Sequence, residues 1–306
     1  MILSVQEVIM YGLEAIQIRR HDQEGMSEAK KTRYFRKHFG STPLDLASQW
    51  YDLTVTDISG ASLTTEENSL NGLKMFFMAH HYLWAYTKNR EMLASLFCVP
   101  ETFAGGARLW KWIGKIAALK EAKIVWPEVT STTDVDLFLI SVDGTDCKTR
   151  ETKHPTMPID RKMKSDKFNK AGWKYEVALS VHSPKIVWIY GPHKGGEHDM
   201  TIFRQQLKDK LAAHPGAMAS ADLGYRTSVP VEVDLLAWPN SMDGWDIRNY
   251  KSRIRCRQET LFGRLKFFSI LTITFRHSRE QHKMAFEAVC VTVQYQMDNG
   301  SPIYQV

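Results

Sequence analysis

The sequence has few cysteines and no long apolar run, and both absences narrow its class. Only four cysteines occur among 306 residues, and no two form a CxxC pair: Cys98, Cys147, Cys256 and Cys290. This pattern argues against a disulfide framework or a cysteine-rich zinc site, and it favours a reducing compartment. No segment approaches the ~18 uncharged apolar residues of a membrane-spanning helix, so we expect no membrane segment. The apolar N-terminus lacks a basic n-region and contains Glu7 and Glu14, which predicts an amphipathic helix rather than a signal peptide.

Two motifs of common enzyme classes are also missing. The chain contains neither the G-x-x-x-x-G-K-[ST] string of ATP-binding loops nor the G-x-S-x-G string of serine hydrolases. The adjacent His80 and His81 have no carboxylate or cysteine partner at metal-ligand spacing, so core or surface roles are favoured over a zinc site. With 43% hydrophobic and 24% charged residues, the composition is that of an ordinary globular protein.

Positive charge is concentrated in two segments of the chain, although the formal net charge is only +6. Residues 147–174 hold nine Lys or Arg against three acids, and residues 248–266 hold seven against the single acid Glu259. The rest of the chain is net acidic. Such segments indicate a surface that binds a polyanion, while a solvated loop and a solvated helix face are the alternative.

The chain changes character near Trp126-Pro127, which predicts two domains. Residues 1–127 read as all-helical, and about residues 88–119 show a short helix, a turn at Val99-Pro100 and a longer helix. That outline is a candidate helix-turn-helix, although any helical bundle contains such triplets.

Residues 128–306 predict an α/β domain with a mixed sheet. Leu137–Asp143 is an apolar run of strand length, and Trp173–His182 alternates and is followed by a hairpin partner, Lys185–Tyr190. A helix is predicted from Met200, short strands near residues 217–222 and 233–237, and a long helix from Arg248.

Three carboxylates occur where this pattern would bring them together. Asp143 and Asp222 are each predicted to end a strand, and Glu259 lies on the long helix between cations. Acids at the carboxyl ends of strands lie at the sheet edge where α/β sites form, and three of them would repel one another without a cation. Mg²⁺ or Mn²⁺ prefers such oxygen ligands, and two ions could activate a water and stabilise a leaving oxygen. The alternative is that Asp143 and Asp222 only cap turns beside glycine.

These strings resemble those of a DDE transposase of the PIF/Harbinger type, in the RNase H-like superfamily. The matching strings are Val142–Thr145 (VDGT), Gly195–Asp199 (GGEHD), Ala221–Tyr225 (ADLGY), Arg255–Lys266 (RCRQETLFGRLK) and Phe275–His277 (FRH). They run in the family's order from about Asp134 to Gln294. Arg90–Thr102 resembles the family's helix-turn-helix more loosely.

The resemblance implies a metal triad of Asp143, Asp222 and Glu259 that binds Mg²⁺ or Mn²⁺, with two ions expected. It also implies that Arg255 and Lys266 bind DNA beside Glu259. The implied activity is a metal-dependent endonuclease that cleaves DNA at transposon ends and joins the 3′-OH to target DNA. Nuclear localisation, a Myb-like helper protein and a homo-oligomeric active form follow from the family alone.

Four further DNA-binding residues and three secondary candidates complete the predicted site. Lys162, Lys164, Lys167 and Lys170 are predicted to bind DNA phosphates. Asp146 stands where the family usually has His, so it is either an extra ligand or a turn residue. Asp199 is predicted to be the N-cap of the helix from Met200, or a site residue with His198, which could approach the scissile phosphate.

Two other functions remain open at this point. The chain could be a domesticated transposase derivative that binds DNA or a protein without transposition. It could also be a plain nuclease on the same fold. An intact triad disfavours the loss of chemistry but does not address mobility.

Overall fold

The computed structural model describes residues 1–87, 89–127, 138–151, 160–214 and 216–306. The predicted residues Leu137 and Asp134 lie outside these ranges. About half of the chain is helical, and six strands form one mixed sheet. This confirms a mixed α/β fold.

The described helices are α1 (Val5–Ala15), α2 (Arg20–Glu24), α3 (Glu28–Phe39), α4 (Pro43–Val55), α5 (Leu70–Ala85), α6 (Arg90–Phe97), α7 (Ala107–Ala118), α8 (Lys120–Lys123), α9 (Asp199–Phe203), α10 (Leu207–Ala212), α11 (Pro230–Val233), α12 (Trp245–Lys266), α13 (Ser269–Thr272) and α14 (Arg279–Asp298). The strands are β1 (Ile140–Lys148), β2 (Lys164–Ser165), β3 (Lys170–Ser180), β4 (Ile186–Lys194), β5 (Ala219–Ser220) and β6 (Leu236–Ala237). Short 3-10 turns occupy Arg161–Met163 and Leu223–Tyr225. None of the described helices is both long and apolar enough to cross a bilayer.

Two compact units divide the chain. Unit 1 comprises Met1–Lys123, Leu265–Ile273 and His277–Ser301, and unit 2 comprises Ile124–Arg264, Thr274–Arg276 and Pro302–Val306. The C-terminal helix α14 therefore belongs to the first unit. The domain boundary at residues 127/128 stays a prediction from sequence.

Unit 1 is a helical bundle in which α7 packs between α5 and α14. Helix α4 begins as its sequence predicts, with Thr42 as N-cap in a capping box and Pro43 in the first turn. Helix α7 is buried along most of its length and exposes only Ala107, Arg108 and Lys111. Nine residues separate it from α6. The helix-turn-helix is not confirmed by this arrangement and stays a prediction.

The sheet of unit 2 combines antiparallel and parallel pairs. Strand β3 pairs antiparallel with β1 on one side and with β2 and β4 on the other, and β5 pairs parallel with both β1 and β6. The β3–β4 pairing confirms the hairpin that the sequence predicts across Ser183-Pro184.

Helices cover both faces of this sheet because β1 alternates its side chains. Ile140 and Val142 pack in one cluster with Phe203 of α9 and Leu207 of α10. On the opposite face, Ser141 bonds to α12, and Ile254 of α12 packs with buried residues that flank the sheet. A strand with apolar contacts on one face and a helix tether on the other is fixed in its register.

Candidate active site

Asp143 and Asp222 are brought together by the parallel pairing of β1 with β5. The paired residues are Ile140 with Ala219 and Ser141 with Ser220. Two residues further along each chain, the same register aligns Asp143 with Asp222. Because β5 ends at Ser220, no ladder continues between the two acids, and their side chains lie where the strands part.

The prediction that Asp143 ends its strand is wrong. Strand β1 continues to Lys148, because β3 stays paired with it from Gly172 to Ser180. Asp143 therefore lies within a strand whose other neighbour has ended. Its Oδ1 accepts a hydrogen bond of 2.6 Å from the Gly144 amide.

The electrostatics of Asp143 are those of a crowded, buried acid. Burial raises the pKa of its carboxyl from 3.8 to about 7, with the charge of Asp222 as the second cause and that of Asp199 as a smaller one. Lys167 opposes this rise in pKa. Burial, and next to it the charge of Asp222, therefore disfavour the ionised form of Asp143.

The Asp199 carboxylate lies between the two segments that hold Asp143 and Asp222. A Cβ added at Gly144 would lie 2.8 Å from Asp199 Oδ1, and one added at Gly224 would lie 2.8 Å from Asp199 Oδ2 and 2.9 Å from Asp222 Oδ1. A side chain at either glycine would therefore push the Asp199 carboxylate from its position. The glycines that look like turn residues in the sequence make room for a carboxylate.

The prediction that Asp199 caps its helix is also wrong. Helix α9 begins at Asp199 itself, and His198 is the N-cap, accepting a 3.3 Å hydrogen bond from the Met200 amide through Nδ1. Lys174 Nζ instead contacts Asp199 Oδ1 at 3.1 Å and the Glu197 carbonyl oxygen at 2.8 Å. Asp199 is thus turned toward the acids and held by a lysine.

A buried acid lies beneath this group, and the sequence analysis missed it. Glu176 is directly opposite Gly144 in the β1–β3 pair and is fully buried. It accepts hydrogen bonds from Trp188 Nε1 at 3.1 Å and from the Tyr225 hydroxyl at 3.4 Å. Burial raises the pKa of Glu176 to about 8. Its only sequence signal is a charged residue in an apolar, alternating strand.

Glu259 lies on the exposed side of α12. Its side chain is 62% exposed, and Arg255 Nε lies 3.4 Å from its Oε1. The preceding residue, Gln258, is buried, accepts a 2.8 Å hydrogen bond from Ser141 Oγ and donates one to the Val177 carbonyl oxygen. Glu259 is therefore one residue from a tether to β1, and Asp143 is two residues, roughly 7 Å, from the same tether.

The predicted DNA-binding cations occupy different settings. Lys162, Lys164 and Lys170 are exposed. Lys167 is exposed too, but its Nζ also donates to the Gly144 carbonyl oxygen at 2.8 Å, next to Asp143. Lys266 is the last residue of α12 and is half-buried. It follows Glu259 by seven residues, about two helical turns, and so shares the side of the helix that carries Arg255 and Glu259.

Asp146 is a strand residue rather than a turn residue. It is buried within β1, and Ser165 Oγ donates a short hydrogen bond to its Oδ2. The bond links β1 to β2, which gives Asp146 a structural role.

The fit of a metal can be judged from the donors present. Within the described ranges, no group of three or more His, Cys, Asp or Glu side chains is arranged to hold a metal ion. Asp143 and Asp222 nevertheless offer hard oxygen donors, and their mutual repulsion is what a divalent cation would relieve. The two sheet acids therefore fit Mg²⁺ or Mn²⁺, with Asp199 as the neighbouring carboxylate. Among the described residues, Glu259 is not brought into a metal-binding group with them.

Comparisons of the chain with protein-family models, with curated proteins and with solved structures found no match.

Proposed function

We propose that this chain is a metal-dependent DNA endonuclease of the PIF/Harbinger DDE transposase type, with unit 2 as an RNase H-like catalytic domain. The observation that carries the proposal is the side-by-side placement of Asp143 and Asp222 where β1 and β5 part, where burial and the charge of Asp222 raise the pKa of Asp143. The mixed sheet with helices on both faces supports the proposed fold.

Asp143, Asp222 and Glu259 would hold Mg²⁺ or Mn²⁺, as the sequence resemblance implies for the triad. Bound ions of this type activate a water or a 3′-OH and stabilise the leaving oxygen of a phosphodiester. Gln258 holds α12 against β1 near Asp143, which supports Glu259 as the third acid. Asp199 acts as a positioning residue, since it packs on Gly144 and Gly224 and fixes Lys174.

The cations around the acids would bind the DNA backbone. Lys167 lies closest to Asp143, at the Gly144 carbonyl oxygen, where it can hold a phosphate beside the reacting bond. Exposed Lys162, Lys164, Lys170 and Arg255 can extend this contact to neighbouring phosphates. On the resemblance alone we also propose a homo-oligomeric active form, a Myb-like helper and nuclear localisation.

The proposal is tested by single-turnover cleavage of labelled DNA that contains the element's ends. We expect nicking in Mg²⁺ or Mn²⁺, none in EDTA, and none for Asp143→Asn, Asp222→Asn or Glu259→Gln. Circular dichroism of each variant controls for folding. Joining of the freed 3′-OH to a second DNA distinguishes a transposase from a plain nuclease, and wild-type-level nicking by Asp222→Asn would contradict the assignment.

A further inference from the structure

The start of α12 is exposed and begins with a tryptophan. Trp245, the first residue of the helix, is 70% exposed. Residues 244–249 are all exposed, whereas Ile254, Arg257 and Gln258 further along are buried. An exposed tryptophan offers a large flat ring that a binding partner can cover, and the residues beside it decide which kind of partner fits.

One side of α12 leads from this tryptophan to Glu259. At 100° per residue, Trp245, Arg248, Ser252, Arg255 and Glu259 fall within about 80° of one another around the helix. We call these five residues the Trp245 face. All five are exposed, and Glu259 is the only acid among them. The face thus places an aromatic ring and two guanidinium groups in line with a proposed metal ligand.

The helix that presents this face is firmly held. Lys251 Nζ bonds to the Trp238 carbonyl oxygen at 3.0 Å and to Asp243 Oδ2 at 2.8 Å, which ties the preceding loop to α12. The Tyr250 ring stacks on Phe138 at 5.9 Å, and Ile254 is buried beside it. Trp245 is therefore displayed on a rigid element, so little conformational entropy is lost when it binds a flat ligand.

The charges beside the ring favour a nucleic acid over an apolar protein surface. Arg248 is the neighbour of Trp245 one turn along, and Arg255 follows two turns later. Asp243 is neutralised by Lys251, and Asp246 points about 100° away from Trp245. An aromatic ring followed by cations is the combination that stacks an unpaired base and binds its flanking phosphates.

We propose that the Trp245 face is a subsite for unpaired DNA, in which one nucleobase stacks on Trp245 while Arg248 and Arg255 bind adjacent phosphates. Fourteen residues of helix separate Trp245 from Glu259, which is roughly 21 Å. At about 3.4 Å per base step, the stacked base lies about six steps from the reacting phosphodiester. The inference rests on the proposed function in taking DNA as the ligand and, for the six-step distance, in placing the reacting phosphodiester at Glu259.

Binding measured in EDTA tests the subsite without any cleavage. The probes are a fluorescein-labelled 15-nucleotide single strand and a fully paired duplex of the same sequence, followed by anisotropy. Trp245→Ala should weaken binding of the single strand by about 5- to 150-fold and leave the duplex within twofold. Trp245→Phe should restore most of the affinity, and Met242→Ala, which removes another exposed apolar side chain nearby, should match wild type.

The position of the stacked base gives a second readout. In a pre-cut end duplex with a single-stranded tail, 2-aminopurine is placed at successive positions. Quenching of its fluorescence should peak about six steps from the cut and vanish in Trp245→Ala.

Unchanged single-strand binding by Trp245→Ala would overturn the proposal, as would equal losses of affinity for the single strand and the duplex. Disruption of self-association by Trp245→Ala with no effect on DNA would assign the ring to a protein contact instead. None of these outcomes depends on nicking, so a failed cleavage assay would reject the proposed function separately.

Discussion

The two sheet acids and the helix acid of the proposed triad sit in opposite environments. Asp143 is partly buried beside Asp222, and its pKa is raised to about 7. Glu259 is 62% exposed and has Arg255 within 3.4 Å. Unfavourable charge is therefore concentrated at Asp143 on the sheet edge, whereas Glu259 is exposed to solvent beside a cation. Even if Asp143 and Glu259 contribute equally to catalysis, their substitutions should differ sharply in their effect on the free energy of unfolding.

The largest expected effect is on the cleavage rate, where the sheet acids and Glu259 should behave alike. Asp222→Asn and Glu259→Gln should each lower the single-turnover rate at saturating DNA by at least about 100- to 1000-fold, the cost of removing one preorganised polar group. Asp199→Asn should reduce the rate less, because it acts through Lys174 and the Gly224 turn. A Glu259→Gln variant that cleaves like wild type would restrict the site to the sheet acids.

Stability without metal should separate the sheet acid from the helix acid. Because its folded pKa is raised from 3.8 to about 7, Asp143 keeps a proton that the unfolded chain loses, and stability falls as pH rises through this window. In EDTA at pH 8, Asp143→Asn should raise the free energy of unfolding by up to about 4 kcal/mol. Urea titrations from pH 5 to pH 8 measure this.

The matched control for that experiment is Glu259→Gln, which should follow the wild-type pH profile. Glu176, whose pKa is also raised, remains in both variants and keeps part of the slope. An Asp143→Asn profile that overlays the wild type would show that the pKa of Asp143 is not raised in the folded protein.

Two arginines of α12 sharpen the comparison further. From helical spacing alone, the sequence predicts that Arg257 lies off the side of Glu259 and that Arg257→Ala acts mainly through DNA binding, if at all. This prediction is wrong, because Arg257 is fully buried. Its guanidinium donates to the carbonyl oxygens of Ser180, Val181 and Ser183 at 2.6–3.0 Å. Arg257→Ala should cost about 2–4 kcal/mol of stability, whereas Arg255→Ala should cost under about 0.5 kcal/mol.

Thermal and urea unfolding of the two variants measure this difference. Arg257→Ala would lower activity by destabilising the fold, so it cannot serve as a control for DNA contacts. Arg264→Gln cannot serve either, because Arg264 is half-buried and donates to the Pro302 carbonyl oxygen. Equal unfolding midpoints for Arg255→Ala and Arg257→Ala would show that the buried hydrogen bonds of Arg257 contribute nothing.

The smallest expected effect is on DNA affinity. The triple variant of Lys162, Lys164 and Lys170 to Gln should reduce the slope of log affinity against log salt by about 2.7, at roughly 0.9 per phosphate contact. Lys167→Gln, beside the sheet acids, should also lower the cleavage rate at saturating DNA. A salt slope unaffected by the triple change would leave the basic segment as a solvated loop.

The sequence predicts the elements of this site better than their contacts. Apolar runs correctly indicate the β3–β4 hairpin and the long helix, although α12 begins at Trp245 rather than Arg248. The continuation of β1 beyond Asp143 depends on a partner strand some 30 residues away, so no local pattern reveals it.

Burial on α12 could have been anticipated, and the glycine contacts could not. Arg257 is three residues after Ile254 and four before Leu261, which are both buried, so helical spacing already places it on the inner side. Gly144 and Gly224 read as turn residues beside Asp. Their role in admitting Asp199 appears only when segments distant in sequence are assembled.

Cation binding at the sheet edge is the most direct test of the account. Mn²⁺ titration of the DNA-free protein at pH 8, followed by electron paramagnetic resonance, should show saturable binding that Asp222→Asn strongly weakens. Asp209→Asn, an exposed acid of α10, should leave the isotherm unchanged. A wild-type isotherm for Asp222→Asn would contradict the claim that Asp143 and Asp222 form a metal-dependent catalytic centre.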